Sequence, residues 1–198
     1  MLRHTAFAMT LVLTIFLAVF AAQVSAKTIA KTIQQTDLER MLSLTKGMTN
    51  KPPSWRPHVA ACHWYNNGQP LCDATGSVTA IYWYYLGLGG SANLTMLPQG
   101  LTYLDLYGNN LVGVADLTSL PQGLQSLHLD NNAFSGLLDL TTLPQGLEYL
   151  LLFENQFSGS GTFTPNNNWC SYLPTQHNMC GTHDGAFNCS SGVWSCAP

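Results

Sequence analysis

Charge is what this sequence has least of: Asp, Glu, Lys and Arg make up 9% of its 198 residues, against about a quarter in an ordinary soluble domain. The cations also stop early. Arg56 is the last Lys or Arg, so residues 57–198 hold none, while eight acids remain there: Asp73, Asp105, Asp116, Asp130, Asp139, Glu148, Glu154 and Asp184. A surface without cations cannot neutralise phosphate, which excludes nucleic acid and anionic membrane surfaces as partners. It also leaves no bond beyond Arg56 for a trypsin-like protease, a feature that suits a protein living among such proteases.

Cysteine is absent from the middle of the chain. The six cysteines stand two before it, Cys62 and Cys72, and four after it, Cys170, Cys180, Cys189 and Cys196. An even count in a secreted chain implies disulfides, with three pairings open for the last four. Those four lack the paired CxxC of zinc modules, so zinc with His177 and His183 is the weaker alternative, and neither metal nor cofactor is expected.

Long apolar runs are missing too, apart from one over residues 6–22, preceded by Arg3 and His4 and followed by Val24-Ser25-Ala26. This is the layout of a secretory signal peptide over residues 1–26, with an uncleaved anchor as the rival. The mature chain, from about Lys27, then has no transmembrane segment and is expected to be soluble, extracellular or cell-surface associated. Asn93 (Asn-Leu-Thr) and Asn188 (Asn-Cys-Ser) are glycosylation acceptors by pattern.

What fills the middle is a repeat. TMLPQGLTYLDLYGNNLVGVADL, TSLPQGLQSLHLDNNAFSGLLDL and TTLPQGLEYLLLFENQFSGSGTF follow one another in a strict 23-residue period. Leu97, Leu120 and Leu143 correspond, as do Gly100, Gly123 and Gly146, Leu104, Leu127 and Leu150, Leu106, Leu129 and Leu152, and Asn109, Asn132 and Asn155. Period and composition fit the leucine-rich repeat LxxLxLxxNxxxG, and three tandem copies without insertion imply a solenoid. Subtracting 23 exposes a degenerate earlier copy: Val78, Ile81, Trp83, Leu88 and Gly90 match Leu101, Leu104, Leu106, Leu111 and Gly113, with Leu86 at the Asn position. Four parallel strands therefore stack, forming a short sheet on the concave face opposite an irregular convex side.

The Leu pair of each strand points inward, because no single repeat buries enough apolar surface alone. Asn109, Asn132 and Asn155 turn inward to bond backbone groups of adjacent turns. Leu88, Leu111, Phe134 and Phe157 fill the convex half of the core. Upstream, Thr36-Asp37-Leu38-Glu39 has the form of a capping box, which predicts a helix over about 37–46 with Leu38, Met41, Leu42 and Thr45 on the buried face and Gly47 as a left-handed cap. Cys62 and Cys72 are expected to close a loop in which Trp64 plugs the core end. The organisation follows: 1–26 signal peptide; 27–75 N-terminal helical and disulfide cap; 76–163 repeats, divided at 76–94, 95–117, 118–140 and 141–163; 164–198 cysteine-rich C-terminal cap.

Residues between the leucines point outward and stack in columns: Ala80, Tyr103, Ser126 and Tyr149; Tyr82, Asp105, His128 and Leu151; Tyr84, Tyr107, Asp130 and Phe153. This aromatic, mildly acidic strip is the expected ligand-binding surface for a protein or glycan. Ser126, His128 and Asp105 are also the residue types of a hydrolytic triad, but strand amides are committed to the ladder and offer no oxyanion donors, so catalysis is not expected. His128 between Asp105 and Asp130 is expected to gain a proton readily and to make binding pH-dependent. A passive glycosylated coat is the remaining alternative.

The Leu-Pro-Gln-Gly-Leu runs, the Asn-Asn-x-Phe-Ser-Gly block and the Leu-Asp-Leu linker resemble the leucine-rich repeats of trypanosomatid surface antigens, including promastigote surface antigen-like proteins. The stretch from Leu42 through Trp55, Cys62-x-Trp64, Cys72 and Gly76-x-Val78 is similar to the N-terminal cap that those proteins share with plant extracellular receptors and polygalacturonase-inhibiting proteins. Together the resemblance covers residues 36–163 and implies a non-enzymatic recognition or adhesion module acting between parasite and host, with a host receptor as partner. Two departures stand out. The Cys62–Cys72 loop is longer than in the shared cap, and the sequence ends two residues after Cys196 with no signal for a lipid anchor, which favours a released protein.

Overall fold

The computed structural model describes residues 2–69, 71–140, 142–158, 187–190 and 193–196, with backbone alone for 2–14, 158 and the last two stretches. Near its start the chain forms a long helix, α1 (Leu2–Leu44), followed among the described residues by eleven short strands. Four of them, β2 (Ala80–Tyr82), β4 (Tyr103–Asp105), β6 (Ser126–His128) and β8 (Tyr149–Leu151), form one parallel sheet in that order. Every pairing is offset by one repeat: Ala80 lies beside Tyr103, Tyr103 beside Ser126, and Ser126 beside Tyr149. The described chain is thus a leucine-rich-repeat, parallel β-solenoid.

The second face departs from expectation. In place of an irregular side it carries a five-stranded sheet of β1 (Met48–Thr49), β3 (Gly89–Ser91), β5 (Asn110–Val114), β7 (Ala133–Leu137) and β9 (Gln156–Ser158), all parallel except the β1–β3 pair. These strands escape a search for alternating hydrophobicity because β5 and β7 each drive one large side chain inward, Leu111 and Phe134, both fully buried. Two residues later the chain passes through Gly113 (φ 90°) and Gly136 (φ 91°), in a backbone region closed to most side chains. A further antiparallel pair, β10 (Phe187–Ser190) and β11 (Val193–Cys196), follows near the C-terminus.

Between the two sheets lies one core. Ile81, Leu104, Leu127 and Leu150 line the inside of the first sheet, Leu88, Leu111, Phe134 and Phe157 that of the second, and all eight are buried. Three asparagines stitch successive turns. Asn109 Oδ1 accepts the amides of Leu86 and Leu88, while its Nδ2 donates to the carbonyls of Trp83, Leu106 and Tyr107. Asn132 and Asn155 repeat the pattern one and two turns on, accepting from Leu111 and Phe134. Each amide thereby satisfies backbone groups at a bend where neither sheet can.

The N-terminal end of the core is closed by Leu38, Met41 and Leu44 of α1 and by a tryptophan cluster in which Trp55 lies 3.8 Å from Trp83 and 5.8 Å from Trp64, centroid to centroid. The Cys62–Cys72 disulfide is formed, with 5.4 Å between Cα atoms. His63 beside it is exposed.

The capping box is not made. Thr36 lies inside α1 and donates its hydroxyl to the Thr32 carbonyl, as Thr32 does to Thr28 and Thr28 to Val24. The stretch between residues 27 and 35 contains neither proline nor glycine to stop the helix, so the Thr hydroxyls bond backward and the helix runs through. Gly47 is likewise not a left-handed cap: it lacks a side chain because a Cβ there would strike Ser91, whose amide donates to the Gly47 carbonyl at 3.0 Å. Ile15, Phe16, Leu17, Val19, Phe20 and Val24 are exposed on α1, and its apolar part is long enough to cross a membrane, a property shared by signal peptides and anchors.

Candidate functional site

Two of the three outward columns expected from the sequence, Ala80–Tyr103–Ser126–Tyr149 and Tyr82–Asp105–His128–Leu151, are neighbours on the β2–β4–β6–β8 sheet, while Tyr84, Tyr107, Asp130 and Phe153 lie two residues past the strand ends. Tyr82 stacks on Tyr103 with centroids 4.6 Å apart and planes at 28°, and Tyr103 lies 5.4 Å from the His128 ring. One turn beyond the strands, Tyr85 meets Tyr107 edge to face at 4.8 Å, their hydroxyls 2.7 Å apart in a hydrogen bond. Tyr149 is exposed, while Tyr82, Tyr84, Tyr103, Tyr107, His128, Leu151 and Phe153 are half-buried. Ser126, Asp105 and Asp130, expected to face solvent, are instead buried under their larger neighbours.

Tyr85 was not among the expected contacts, and it is the most exposed ring of the group. It sits at φ 52°, and the residues 23, 46 and 69 positions on, Gly108, Asn131 and Glu154, adopt φ of 67°, 53° and 51°. Every turn needs a left-handed residue at this point, and the Gly and Asn there were the available signal.

Burial dominates the electrostatics. Asp105 sits 3.8 Å from His128, Oδ2 to Nδ1, and its Oδ1 accepts the Tyr107 amide. Loss of water nonetheless raises its pKa above the usual carboxylate range, opposed by the Tyr107 amide and His128. Burial lowers the pKa of His128, with Asp105 acting in the opposite sense but more weakly. The expectation that its carboxylate neighbours would make His128 easy to protonate is therefore reversed: on this face, desolvation of the imidazolium outweighs attraction. Asp130, 3% exposed, is pushed up to about 6, by burial first and then by Asp105 and Glu154. Tyr103 is pushed up to about 12, by burial first and then by Asp105.

The hydrolytic alternative lacks a relay geometry. Ser126 and His128 lie two residues apart on one strand, roughly 6.6 Å at the usual rise, and the Asp105–His128 separation of 3.8 Å is beyond hydrogen-bond length. Asn93 is exposed and its side-chain oxygen accepts from Thr95 at 2.7 Å. Cys170, Cys180, His177 and His183 lie outside the described residues, as do the side chains of Asn188, Cys189 and Cys196.

No family model matches the chain, and no curated protein matches it. Among solved structures it is similar to the BIR3–SERK2 complex of Arabidopsis thaliana (21% identity, 61% of this chain and 69% of that one, TM-score 0.41). It is also similar to a pollen receptor kinase 3 (23% identity, 60% and 69%, TM-score 0.37) and to the BIR2 ectodomain of Arabidopsis thaliana (21% identity, 62% and 82%, TM-score 0.38).

Proposed function

We propose that this chain is a secreted or cell-surface, non-enzymatic recognition module that binds a protein or glycan ligand across the β2–β4–β6–β8 face. The contact residues in this reading are Tyr82, Tyr84, Tyr103, Asp105, Tyr107, Ser126, His128, Asp130, Tyr149, Leu151 and Phe153, with Tyr85 added at the edge. The observation that carries it is the aromatic column itself: Tyr82, Tyr103 and His128 run ring to ring across three strands at 4.6 and 5.4 Å. Tyrosines held in this way present apolar faces and polar hydroxyls with few side-chain rotations left to lose, which favours association. The resemblance of the repeats to trypanosomatid surface antigens supports a parasite–host setting, and the N-terminal apolar stretch and the exposed Asn93 support export and glycosylation.

The test is capture from host-cell surface extracts and a glycan array, using the secreted protein and its Tyr103→Ser/Tyr107→Ser/Tyr149→Ser variant. A ligand held by the parent and lost by the variant, with melting unchanged, is the expected result. Capture of nothing by either protein would return the coat reading, and equal capture by both would move the binding site off this face.

A further inference from the structure

One oxygen on this face has no partner. Asp130 is 3% exposed, and among the described residues its buried Oδ1 makes no hydrogen bond. Leaving a carboxylate oxygen both dry and unbonded is unfavourable, and native proteins seldom retain such an atom without a use for it. Its surroundings add no cation. Asp105 and Glu154 are close enough to oppose its ionisation, Tyr103 and Tyr107 are close enough to feel its charge, and Asn131 is its hydrogen-bonding neighbour in sequence. Beyond Arg56 the chain has no Lys or Arg that could neutralise these carboxylates. That leaves a proton or a cation from outside to neutralise the site.

Three kinds of cation compete for such a place. A metal ion wants several carboxylate or imidazole donors converging on one point, and the described residues contain no group of three that does so. A lysine ammonium satisfies the charge and can sit over a ring, but it is a compact point charge that gives up its water reluctantly. A guanidinium is planar, carries five donors, stacks on tyrosine faces and sheds water more easily than an ammonium.

Resting on the recognition face above, we propose that its centre seats the arginine side chain of a protein partner, with Asp130 and Asp105 accepting hydrogen bonds from the guanidinium and the rings of Tyr103 and Tyr107 lining it. Oδ1 is covered in the free protein, so seating turns a side chain aside. Tyr107 is the neighbour suited to this, being half-exposed and hydrogen-bonded at its hydroxyl to the still more exposed Tyr85. Because Asp130 ionises only above about 6, the seat is open at neutral pH and closes as a proton takes the place of the guanidinium. His128, Asp105, Glu154, Tyr103 and Tyr107 are the other ionisable side chains around it.

The test is an array of matched peptides of one length carrying Arg, Lys or the uncharged isostere citrulline at the centre, probed with the whole secreted protein. Arginine peptides are expected to bind roughly tenfold or more tightly than citrulline ones, the scale of charge-assisted hydrogen bonds, and to weaken as pH falls from 7.5 to 5. Asp130→Asn, with Asp105→Asn as the second variant, should remove that preference while the protein still melts cooperatively. Equal binding of Arg and citrulline peptides, a preference that survives both variants, or no binding of any peptide overturns the arginine seat. Equal binding of Arg and citrulline peptides, with ligand capture still lost in the Tyr103→Ser/Tyr107→Ser/Tyr149→Ser protein, would sink the seat and leave the recognition face standing, which separates the two conclusions.

Discussion

The carboxylate of Asp37, in α1, accepts the backbone amide of Val78 at 2.8 Å across 41 residues of sequence. Both residues are buried, and burial raises the Asp37 pKa against the pull of that amide. The bond fixes the C-terminal part of the helix to the chain just ahead of β2.

Asp37→Ala should therefore cost about 1–3 kcal/mol, since it strands a buried amide. Asp37→Asn keeps an acceptor oxygen and should cost less. Urea unfolding of the two variants checks the order, and equal losses would mean that charge rather than the acceptor matters.

Leu127 lies at the centre of the core, fully buried between turns that repeat it at Leu104 and Leu150. Leu127→Ala should cost about 2–5 kcal/mol. A loss below about half a kcal/mol, the scale of an ordinary surface change, would contradict the inward assignment.

Stability should depend on Asp130 in the sense opposite to most carboxylates. Its folded pKa, about 6, lies above the ordinary 3.8, so the native state holds the proton more tightly than the unfolded chain. Stability from this group rises as pH falls from about 6 towards 4, by about 3 kcal/mol at most. Asp105 and Asp37, also raised, act in the same direction, while Asp73 and Asp116, lowered first by hydrogen bonds from Thr75 and Thr118, act against it at lower pH. In Asp130→Asn the melting temperature should rise at pH 7, and the gain in stability on acidification from 7 to 5 should give way to the opposite contribution of His128, whose lowered pKa favours the native state at higher pH.

Glu154 occupies the left-handed position of the last described turn, at φ 51°, where the matching residue two turns earlier is Gly108. Glu154→Gly should stabilise by about 0.5–1 kcal/mol, because relief of the left-handed backbone, about 1–2 kcal/mol, exceeds the added freedom of the unfolded chain. Differential scanning calorimetry reads the sign directly, and a lowered melting temperature would refute it.

With no Lys or Arg after Arg56, and with Pro52 and Pro57 blocking the bonds after Lys51 and Arg56, trypsin should leave residues 47–198 as one fragment even after reduction and denaturation. Mass spectrometry of the digest would expose any internal cut.

The repeat made half of the fold legible. Because each contact recurs every 23 residues, the role of Leu104 or Asn109 is written several times over, and register follows by subtraction. The second sheet was not legible, since Gly113 and Gly136 interrupt its strands and only one side chain per strand enters the core. Nor was the helix start, where Thr36 had the chemistry of a cap but no break ahead of it. At the site, alternation correctly turned Asp105 and Asp130 outward, yet outward on this sheet means beneath tyrosines. Their burial, and with it the reversed direction at His128, depends on how large neighbours lean, which a period of two does not encode.

The asparagine stitches also bear on how such a gene can change length. Each one serves the turn before it, and its acceptors and donors are backbone groups found in every copy. Unequal crossing-over that adds or drops a whole unit hands every asparagine an equivalent set of partners, so the new junction is structurally silent. A gain or loss of any other length puts the amide beside the wrong bend and is eliminated with the protein. Lineages carrying this scaffold should therefore differ by whole multiples of the unit, with the residues between the leucines free to diversify.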